Sequence, residues 1–536
     1  MKRLLVMGIG VLALAACASG DPPIPTRTTP LSVEFPTATP TTTAPATPEL
    51  AVVPTPTPPG PLPTADDQVT VGVGFNVQEF KSALVMPARL LIQIQDVDLG
   101  GLHASLRLSM QGQQTIEISL SIQEDDPVFD ERSVAEYGGY TVALQSVTAS
   151  PSGIGLPSTL GVSLLIYQTE PVVDANTRFA FDLLHELRAG DQTNLFFSPL
   201  SISMALAMTY DGASGETKAA MAEVLHLTNL GDDAVNQGNA DLLTALGNRA
   251  PELNLSVANS LWSREGVTLN RSFIDRVERY YAAEVTSLPF DEAATERINS
   301  WVSDKTNGKI DGIIDEIDPS GLLYLINAIY LKASWTPWPF DEEDTHPAPF
   351  QLEDGTQVLV PMMSRGFKTD YLDGDGFTAL RLPYAGSASA YFFLPDRSSN
   401  LDGFLEQLNA DAWATWMDDF IVAQGPVNIP RFEVGLEVTL NDVLKAMGME
   451  VAFGVADFSA MGLDGAFISE VKHKAVVEVH ETGTEAAGAT SVAIALSGTL
   501  NELDFTLDRP FFFAITDDVT GSILFMGSVR EMQAAQ

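Results

Sequence analysis

The stretch Glu481-Thr482-Gly483-Thr484-Glu485-Ala486-Ala487-Gly488-Ala489-Thr490 gives the strongest indication of fold in this sequence. It is built from small residues and follows residues 474–479, whose apolar and β-branched residues predict a strand. Between residues 482 and 496 there is no proline, and Glu485 is the only charged residue. Because side chains alternate between the faces of a strand, an inward Thr484 would place Ala486, Gly488, Thr490, Val492 and Ile494 on one buried face.

Seven other blocks occur in the order that the serpin family has, and with the small-residue stretch they resemble that family over about residues 174–530. They are NLFFSPLSI at 194–202, NAIYLKASW at 327–335, VPMM at 360–363, FLPD at 393–396, ADFS at 456–459, HKAV at 473–476 and DRPFF at 508–512. One block alone is weak, whereas seven in register exclude coincidence. The resemblance implies an α+β serpin fold with large mixed and antiparallel sheets, surrounding helices and an exposed reactive-centre loop.

The same resemblance implies inhibition of serine proteases by a conformational trap, in which the cleaved loop inserts into the main sheet as a new strand. The hinge of that loop would be Glu481, Gly483, Thr484, Glu485, Ala486, Ala487, Gly488, Ala489 and Thr490. Counting as the family does, the seventeenth residue from Glu481 is Ser497. The scissile bond is therefore predicted at Ser497-Gly498, with Leu496-Ser497 as the neighbouring option.

Residues around this predicted bond are small or apolar, and residues 483–508 contain no Arg or Lys. Extracellular proteases of elastase-like, chymotrypsin-like or subtilisin-like specificity are therefore the expected partners, and trypsin-like targets are not. The alternative is a non-inhibitory serpin that serves as a binding or structural module. Proline or bulky charge in the hinge is typical of such serpins, and this hinge has no proline.

Two groups of residues match positions at which the main sheet of serpins opens. His473, Ser198 and Asn259 resemble the hydrogen-bonded cluster under the centre of the sheet. Trp335, Arg431 and Glu481 resemble the site where insertion begins. Each could instead be an ordinary core or surface residue, and Ser334 stands where the family often has Gly before Trp.

Signatures of an enzyme do not occur in the sequence. It contains no GxSxG, HExxH or GxxxxGK[ST] motif, and its six histidines are scattered. Residues 373–376 (DGDG) match part of a calcium loop, but Tyr371 and Leu382 occupy its first and last ligand positions, so a tight turn is predicted. We therefore expect no enzymatic activity, no metal and no cofactor.

The charge balance excludes one class of partner. The 536 residues include 29 Lys and Arg against 70 Asp and Glu, which gives a net charge of -41. Nucleic acid is excluded, because non-specific binding to phosphates requires positive charge. The single cysteine, Cys17, excludes an internal disulfide.

The N-terminus predicts export and lipidation. Lys2 and Arg3 precede an apolar run at residues 4–14, and Ala15-Ala16-Cys17 follows. The order resembles the lipobox of bacterial lipoproteins, in which the cysteine carries lipid. We therefore predict a signal peptide at 1–16 and a lipidated Cys17 that anchors the chain at the cell surface. The alternative is an ordinary cleaved signal with a coincidental cysteine.

Three further segments follow the signal. Residues 17–66 are rich in Pro and Thr and predict a disordered spacer. Residues 67–170 alternate apolar and polar side chains, as at 106–110 and 116–122, and predict a small β-sandwich. Residues 171–536 form the predicted serpin domain, and we expect the protein to be a monomer.

Overall fold

The computed structural model describes fifteen segments of the chain. They are residues 67–70, 75–78, 82–86, 90–98, 103–109, 116–121, 134–137, 140–150, 159–167, 170–189, 194–247, 253–336, 339–463, 465–484 and 501–534. Cys17, residues 485–490 of the hinge and the reactive-centre residues Leu496, Ser497 and Gly498 lie outside the described residues.

In the described parts of residues 67–167, the N-terminal region forms only β-strands, as its alternating pattern predicts. Its strands are β1 (Asp67–Thr70), β2 (Phe75–Gln78), β3 (Ser82–Met86), β4 (Leu90–Asp98), β5 (His103–Ser109), β6 (Ile116–Ser121), β7 (Val134–Tyr137), β8 (Tyr140–Ser150) and β9 (Thr159–Tyr167). They form a five-stranded sheet in the order β1-β3-β4-β5-β6 and a four-stranded sheet in the order β2-β9-β8-β7. Apolar residues at alternate positions are buried, among them Leu106, Leu108 and Leu120, and this burial follows the predicted alternation.

Nine α-helices occur in the described residues after β9. They are α1 (Glu170–Arg188), α2 (Pro199–Asp211), α3 (Gly215–Val224), α4 (Asp232–Gly247), α5 (Arg271–Tyr281), α6 (Glu292–Lys305), α7 (Leu401–Gln407), α8 (Ala410–Asp418) and α9 (Asn441–Leu444). A π-helical segment (Lys445–Met449) and a 3-10 turn (Glu450–Phe453) continue α9, and two further 3-10 turns cover Glu342–Asp344 and Ser459–Met461.

A ten-stranded sheet forms one layer of the core. Its strands are β10 (Leu195–Phe197), β14 (His346–Gln351), β15 (Gln357–Gly374), β16 (Phe377–Tyr384), β17 (Ala388–Pro395), β18 (Ile421–Pro430), β22 (Asn501–Glu502), β23 (Phe505–Thr506), β24 (Phe511–Asp517) and β25 (Ile523–Val529). The order is β10-β25-β24-β17-β16-β15-β18-β22, with β14 on β15 and β23 on β18. Aromatic rings fill its buried face, as where Phe196 stacks on Phe513 and Phe525.

A six-stranded sheet positions the candidate site. Its strands are β11 (Leu253–Arg264), β12 (Glu284–Leu288), β13 (Leu323–Ser334), β19 (Phe432–Thr439), β20 (Lys472–His480) and β21 (Gly483–Thr484). The order is β12-β11-β13-β21-β20-β19. The two-residue strand β21 thus lies between the longer strands β13 and β20.

Several elements of this domain follow from local sequence patterns. Apolar residues at helical spacing in 176–187 and 201–208 lie in α1 and α2, and the apolar, β-branched or aromatic runs at 325–331, 390–394, 427–429 and 511–515 lie in β13, β17, β18 and β24. The DGDG stretch is the tight turn between β15 and β16. No helix within the described segments is long and apolar enough to cross a membrane.

Candidate functional site

The hinge enters the six-stranded sheet at its first two residues. Gly483 lies opposite Ser334 of β13 and His480 of β20, and Thr484 lies opposite Ala333 and Val479. Both pairings are antiparallel. Because β21 pairs with a strand on each side, it is a central strand of the sheet and not an edge strand. The backbone of the hinge is therefore paired on both sides at Gly483 and Thr484.

Only glycine fits the first of these positions. Gly483 has a φ of +146°, and a Cβ atom there would lie 2.1 Å from the carbonyl oxygen of Ala333 and 2.7 Å from the Cα atom of Ser334. Both neighbours are backbone atoms, which cannot move aside by changing rotamer. The close approach of β21 to β13 thus requires a residue without a side chain.

Thr484 points into the protein, which is the orientation in which the alternate residues of the hinge would share its buried face. Its side chain is buried, with 3% of the residue exposed, and its Oγ1 lies 2.6 Å from the hydroxyl of Tyr384. The Tyr384 ring stacks on Trp335 with ring centroids 4.3 Å apart. Burial raises the pKa of Tyr384, so its hydroxyl is neutral and able to donate to or accept from Thr484.

Glu481 is anchored beside the entry point. It is 2% exposed, it forms an ion pair with Arg431, and it accepts a hydrogen bond from Thr345 Oγ1 at 2.7 Å. Burial opposes ionisation of the carboxyl, but the hydrogen bonds from Arg431 and Thr345 outweigh it and lower the pKa of Glu481. A charged Glu481 therefore fixes the start of the hinge.

Trp335 follows β13 and is hydrogen-bonded to the residues just before β21. Its ring N–H donates to the carbonyl of His480 at 2.9 Å, and its backbone N–H donates to the carbonyl of Thr482 at 3.1 Å. The structure thus brings together Trp335, Arg431 and Glu481, the three residues that the sequence grouped at the start of insertion.

A second cluster lies at the N-terminus of α2. Ser198 caps this helix by accepting the N–H of Ser201 at 3.1 Å, and its own N–H donates to His473 Nε2 at 3.1 Å. Burial lowers the pKa of His473 to about 4, so the ring is neutral at pH 7. Since Nε2 accepts, the proton of the neutral ring is on Nδ1.

Asn259 belongs to this cluster only indirectly. It lies on β11 directly opposite Asn327 of β13, whose Nδ2 donates to Asn259 Oδ1 at 2.6 Å. Asn327 in turn accepts a hydrogen bond from the hydroxyl of Ser201. The helix α2 is therefore bonded to β20 through Ser198 and to β13 through Ser201.

Sequence reasoning did not single out four residues of these clusters. Ser201 and Asn327 lie within the quoted family blocks, so the same blocks could have identified them. Thr345 and Tyr384 carry no comparable signal, because their contacts with the hinge depend on the tertiary fold.

Two cavities adjoin strands β13 and β20. The smaller, about 90 Å³, is lined by residues that include Leu331 of β13, Val477 of β20 and Thr484. The larger, about 460 Å³, is lined by Leu325 and Asn327 of β13 and by His473 of β20, among others. In the described part of the chain, no group of three or more His, Cys, Asp or Glu side chains is placed to hold a metal ion.

A family model described as serpin (serine protease inhibitor) matches residues 174–532. The chain is a serpin. A serpin-like protein of Thermococcus kodakarensis is 38% identical over 383 residues, which are 69% of this chain and 88% of the relative. Human alpha-1-antichymotrypsin is 35% identical over 378 residues, which are 68% of this chain and 89% of the relative. The structure of human thyroxine-binding globulin aligns with a TM-score of 0.62 and 31% identity, over 68% of this chain and 98% of the other.

Family membership indicates the general class of function. Serpins are generally inhibitors of serine proteases rather than enzymes, although some members are not inhibitors. Thyroxine-binding globulin, whose structure holds thyroxine, illustrates how the fold also serves binding.

Proposed function

We propose that this serpin inhibits serine proteases by inserting its cleaved reactive-centre loop into the six-stranded sheet. The position of β21 carries the proposal. Gly483 and Thr484 already occupy a central strand position between β13 and β20, and both of these strands continue beyond β21. The loop residues that follow Thr484 in sequence would extend a strand that has already begun.

The register of β21 specifies which residues would meet. If the loop continued the two pairings of Gly483 and Thr484, Ala486 would come opposite Leu331 and Val477, and Thr490 would come opposite Asn327 and His473. Val477 and His473 are both buried. The inward set of the loop would therefore face the buried side of β20, and the hydroxyl of Thr490 would arrive between two polar side chains.

The target class follows from the residues around the proposed scissile bond. With Ser497 or Leu496 before that bond, we propose proteases of chymotrypsin-like, elastase-like or subtilisin-like specificity. The name of one relative, alpha-1-antichymotrypsin, agrees with a chymotrypsin-like target. We also propose that the protein acts as a monomer at the cell surface, anchored through lipid on Cys17.

Incubation of the full chain with chymotrypsin, elastase and subtilisin tests the inhibitory function. A complex that survives denaturing electrophoresis should form with at least one of them, because the trapped acyl-enzyme is covalent. The matched control is the same protease with its active serine blocked beforehand, which should give no such complex.

Calorimetry of the cleaved chain distinguishes inhibition from a purely binding role. A loop that inserts adds a strand to the sheet, so the cleaved form should unfold at a markedly higher temperature than the intact form. Cleavage without a covalent complex, and with an unchanged melting temperature, would instead identify a non-inhibitory serpin.

A further inference from the structure

The larger of the two cavities beside β13 has the size of a small-molecule site. Its volume is about 460 Å³, and it lies between α2, β13, the start of β20 and the residues that lead from the 3-10 turn Ser459–Met461 to β20. Cavities that bind small molecules in proteins commonly measure about 300 to 1,000 Å³. This space, called the α2 cavity below, therefore has room for a ligand of that kind.

Two walls of the α2 cavity are apolar because of the spacing of their residues. Ile202 and Leu206 are four residues apart in sequence, so they lie on the same face of α2, and both are buried. Leu323 and Leu325 are two residues apart and lie on the same face of β13. A molecule in the cavity would therefore meet hydrocarbon on two sides, which favours an apolar ligand.

One polar group on the wall of the α2 cavity has no partner. His473 lines the cavity and is 4% exposed, and its Nε2 accepts from the backbone N–H of Ser198 at 3.1 Å. The proton of the neutral ring is therefore on Nδ1, and no atom of the described residues accepts it. Nδ1 is also not among the described buried side-chain atoms that lack both a partner and access to solvent. The Nδ1–H group therefore faces the cavity.

Neighbouring polar side chains on the walls already have partners. The hydroxyl of Ser201 donates to Asn327 Oδ1. The hydroxyl of Thr209 donates to the carbonyl of Ala205 at 3.0 Å, within α2. An oxygen atom of a ligand could therefore bond to His473 without displacing either of these hydrogen bonds, and it would supply the acceptor that this buried donor lacks.

The charges on the solvent side of the α2 cavity disfavour an anionic ligand. Asp318 and Glu470 line the cavity and are exposed. Lys472 also lines it, but its ammonium lies 3.1 Å from the carboxylate of Asp315 and 4.0 Å from that of Glu470. Three carboxylates against one ammonium repel a negative charge. An uncharged oxygen therefore suits the donor of His473 better than a carboxylate does.

We propose that the α2 cavity is a binding site for a neutral, largely apolar molecule that carries one carbonyl or hydroxyl oxygen. The oxygen would accept the Nδ1–H of His473, and the hydrocarbon part would lie between Leu206 of α2 and Leu325 of β13. Two observations carry the inference together, namely an apolar space of sufficient size and a buried donor without a partner on its wall. Because the site exists in the intact chain, the proposal is independent of protease inhibition and of loop insertion.

Calorimetric titration of the intact full chain with three probes gives the first measurement. Methyl heptyl ketone should bind at least about tenfold more tightly than nonanoate, which has the same number of carbon atoms but carries a charge. Acetone has the oxygen without the long hydrocarbon chain and should give no measurable binding. The proposal would be overturned if nonanoate bound as tightly as the ketone, or if the ketone did not bind up to its solubility limit.

Two matched substitutions test where the ketone binds. Ala205 lines the cavity from α2, and Ala205→Phe would place a ring in the space that the ligand needs. Ala219→Phe is the control, because Ala219 is an exposed residue of α3 that does not line the cavity. Ala205→Phe should weaken ketone binding at least about fivefold, and the control should bind as the parent does. Equal affinities of the two variants would contradict binding in the α2 cavity.

Nuclear magnetic resonance of the His473 ring tests the hydrogen bond itself, and this measurement needs no variant. In the full chain labelled with nitrogen-15, the Nδ1–H signal, assigned through the backbone of His473, should move downfield when methyl heptyl ketone saturates the protein. Acetone at the same concentration should leave the signal in place. If the ketone binds by calorimetry and the Nδ1–H signal does not move, the ligand does not accept from His473 and the proposal is wrong.

Discussion

Replacing Gly483 with Ala should slow loop insertion, because the new methyl group has no room. Its carbon would lie 2.1 Å from the Ala333 carbonyl oxygen, against the 3.0 Å below which Cβ atoms are essentially never found. The shortfall of 0.9 Å is against backbone atoms of β13, which cannot change rotamer, so β21 must withdraw from β13. Withdrawal would also break the hydrogen bond between Thr484 and Tyr384.

The size of the effect follows from the bonds that are lost. Two or three hydrogen bonds, at about 1 kcal/mol each, amount to about 2 to 3 kcal/mol. If β21 is the start of insertion, this raises its barrier and slows the step roughly 30-fold to 150-fold. Hydrolysis of the acyl-enzyme then competes successfully, and the variant should be cleaved as a substrate more often than it traps the protease.

The assay is the number of serpin molecules consumed for each protease molecule inhibited, with cleaved and complexed chains separated on a denaturing gel. Gly366→Ala on β15 is the matched control, because nothing lies within 4 Å of a Cβ atom at that position. The control should behave as the parent does. If Gly483→Ala traps protease at the parent stoichiometry and rate while remaining folded, pairing of β21 is not the first step of insertion.

Three other outcomes are expected. Thr484→Arg should be cleaved without trapping protease, because an unpaired charge would enter the buried position beside Tyr384; a covalent complex formed at the parent yield would contradict this. Cys17→Ser should release the protein from membranes. Lipid anchoring would be disproved if the variant still fractionated with membranes and the parent took up no lipid label. Buried His473, with a pKa of about 4, should make the parent lose stability as the pH falls from about 6.5 to 4, because the unfolded chain binds the proton first. Relative to His473→Gln, the free energy of unfolding in urea should fall by on the order of 3 kcal/mol over this range. Parallel plots of this free energy against pH for the two proteins would refute the prediction.

Parts of the six-stranded sheet could be predicted because they depend on residues that are neighbours in the sequence. The β-branched residues before the hinge predicted a strand at 474–479, and β20 covers Lys472–His480. The family resemblance grouped Trp335, Arg431 and Glu481, and the structure places them around one entry point. Their proposed roles in insertion remain predictions, since contact alone does not measure function.

Register and long-range contacts were beyond the sequence. Asn259 was grouped with His473, but strand pairing places it opposite Asn327, and the connection to α2 runs through Ser201. Tyr384 is 100 residues from Thr484 along the chain. A tyrosine at the end of an apolar strand has no local feature that distinguishes a hinge contact from ordinary core packing.

The two ends of the reactive-centre loop belong to different sheets, and this determines what a cut leaves behind. A cut at Ser497-Gly498 would produce a fragment of 39 residues, 498–536, which carries β22 to β25. Every residue of β24 and β25 is buried, and the two strands pair with β17 and β10 in the ten-stranded sheet. The fragment should therefore stay bound, and the cut protein should behave as a single particle in native mass spectrometry. The two pieces should separate only in denaturant. In a complex with protease, the protease should be covalently attached to the larger piece.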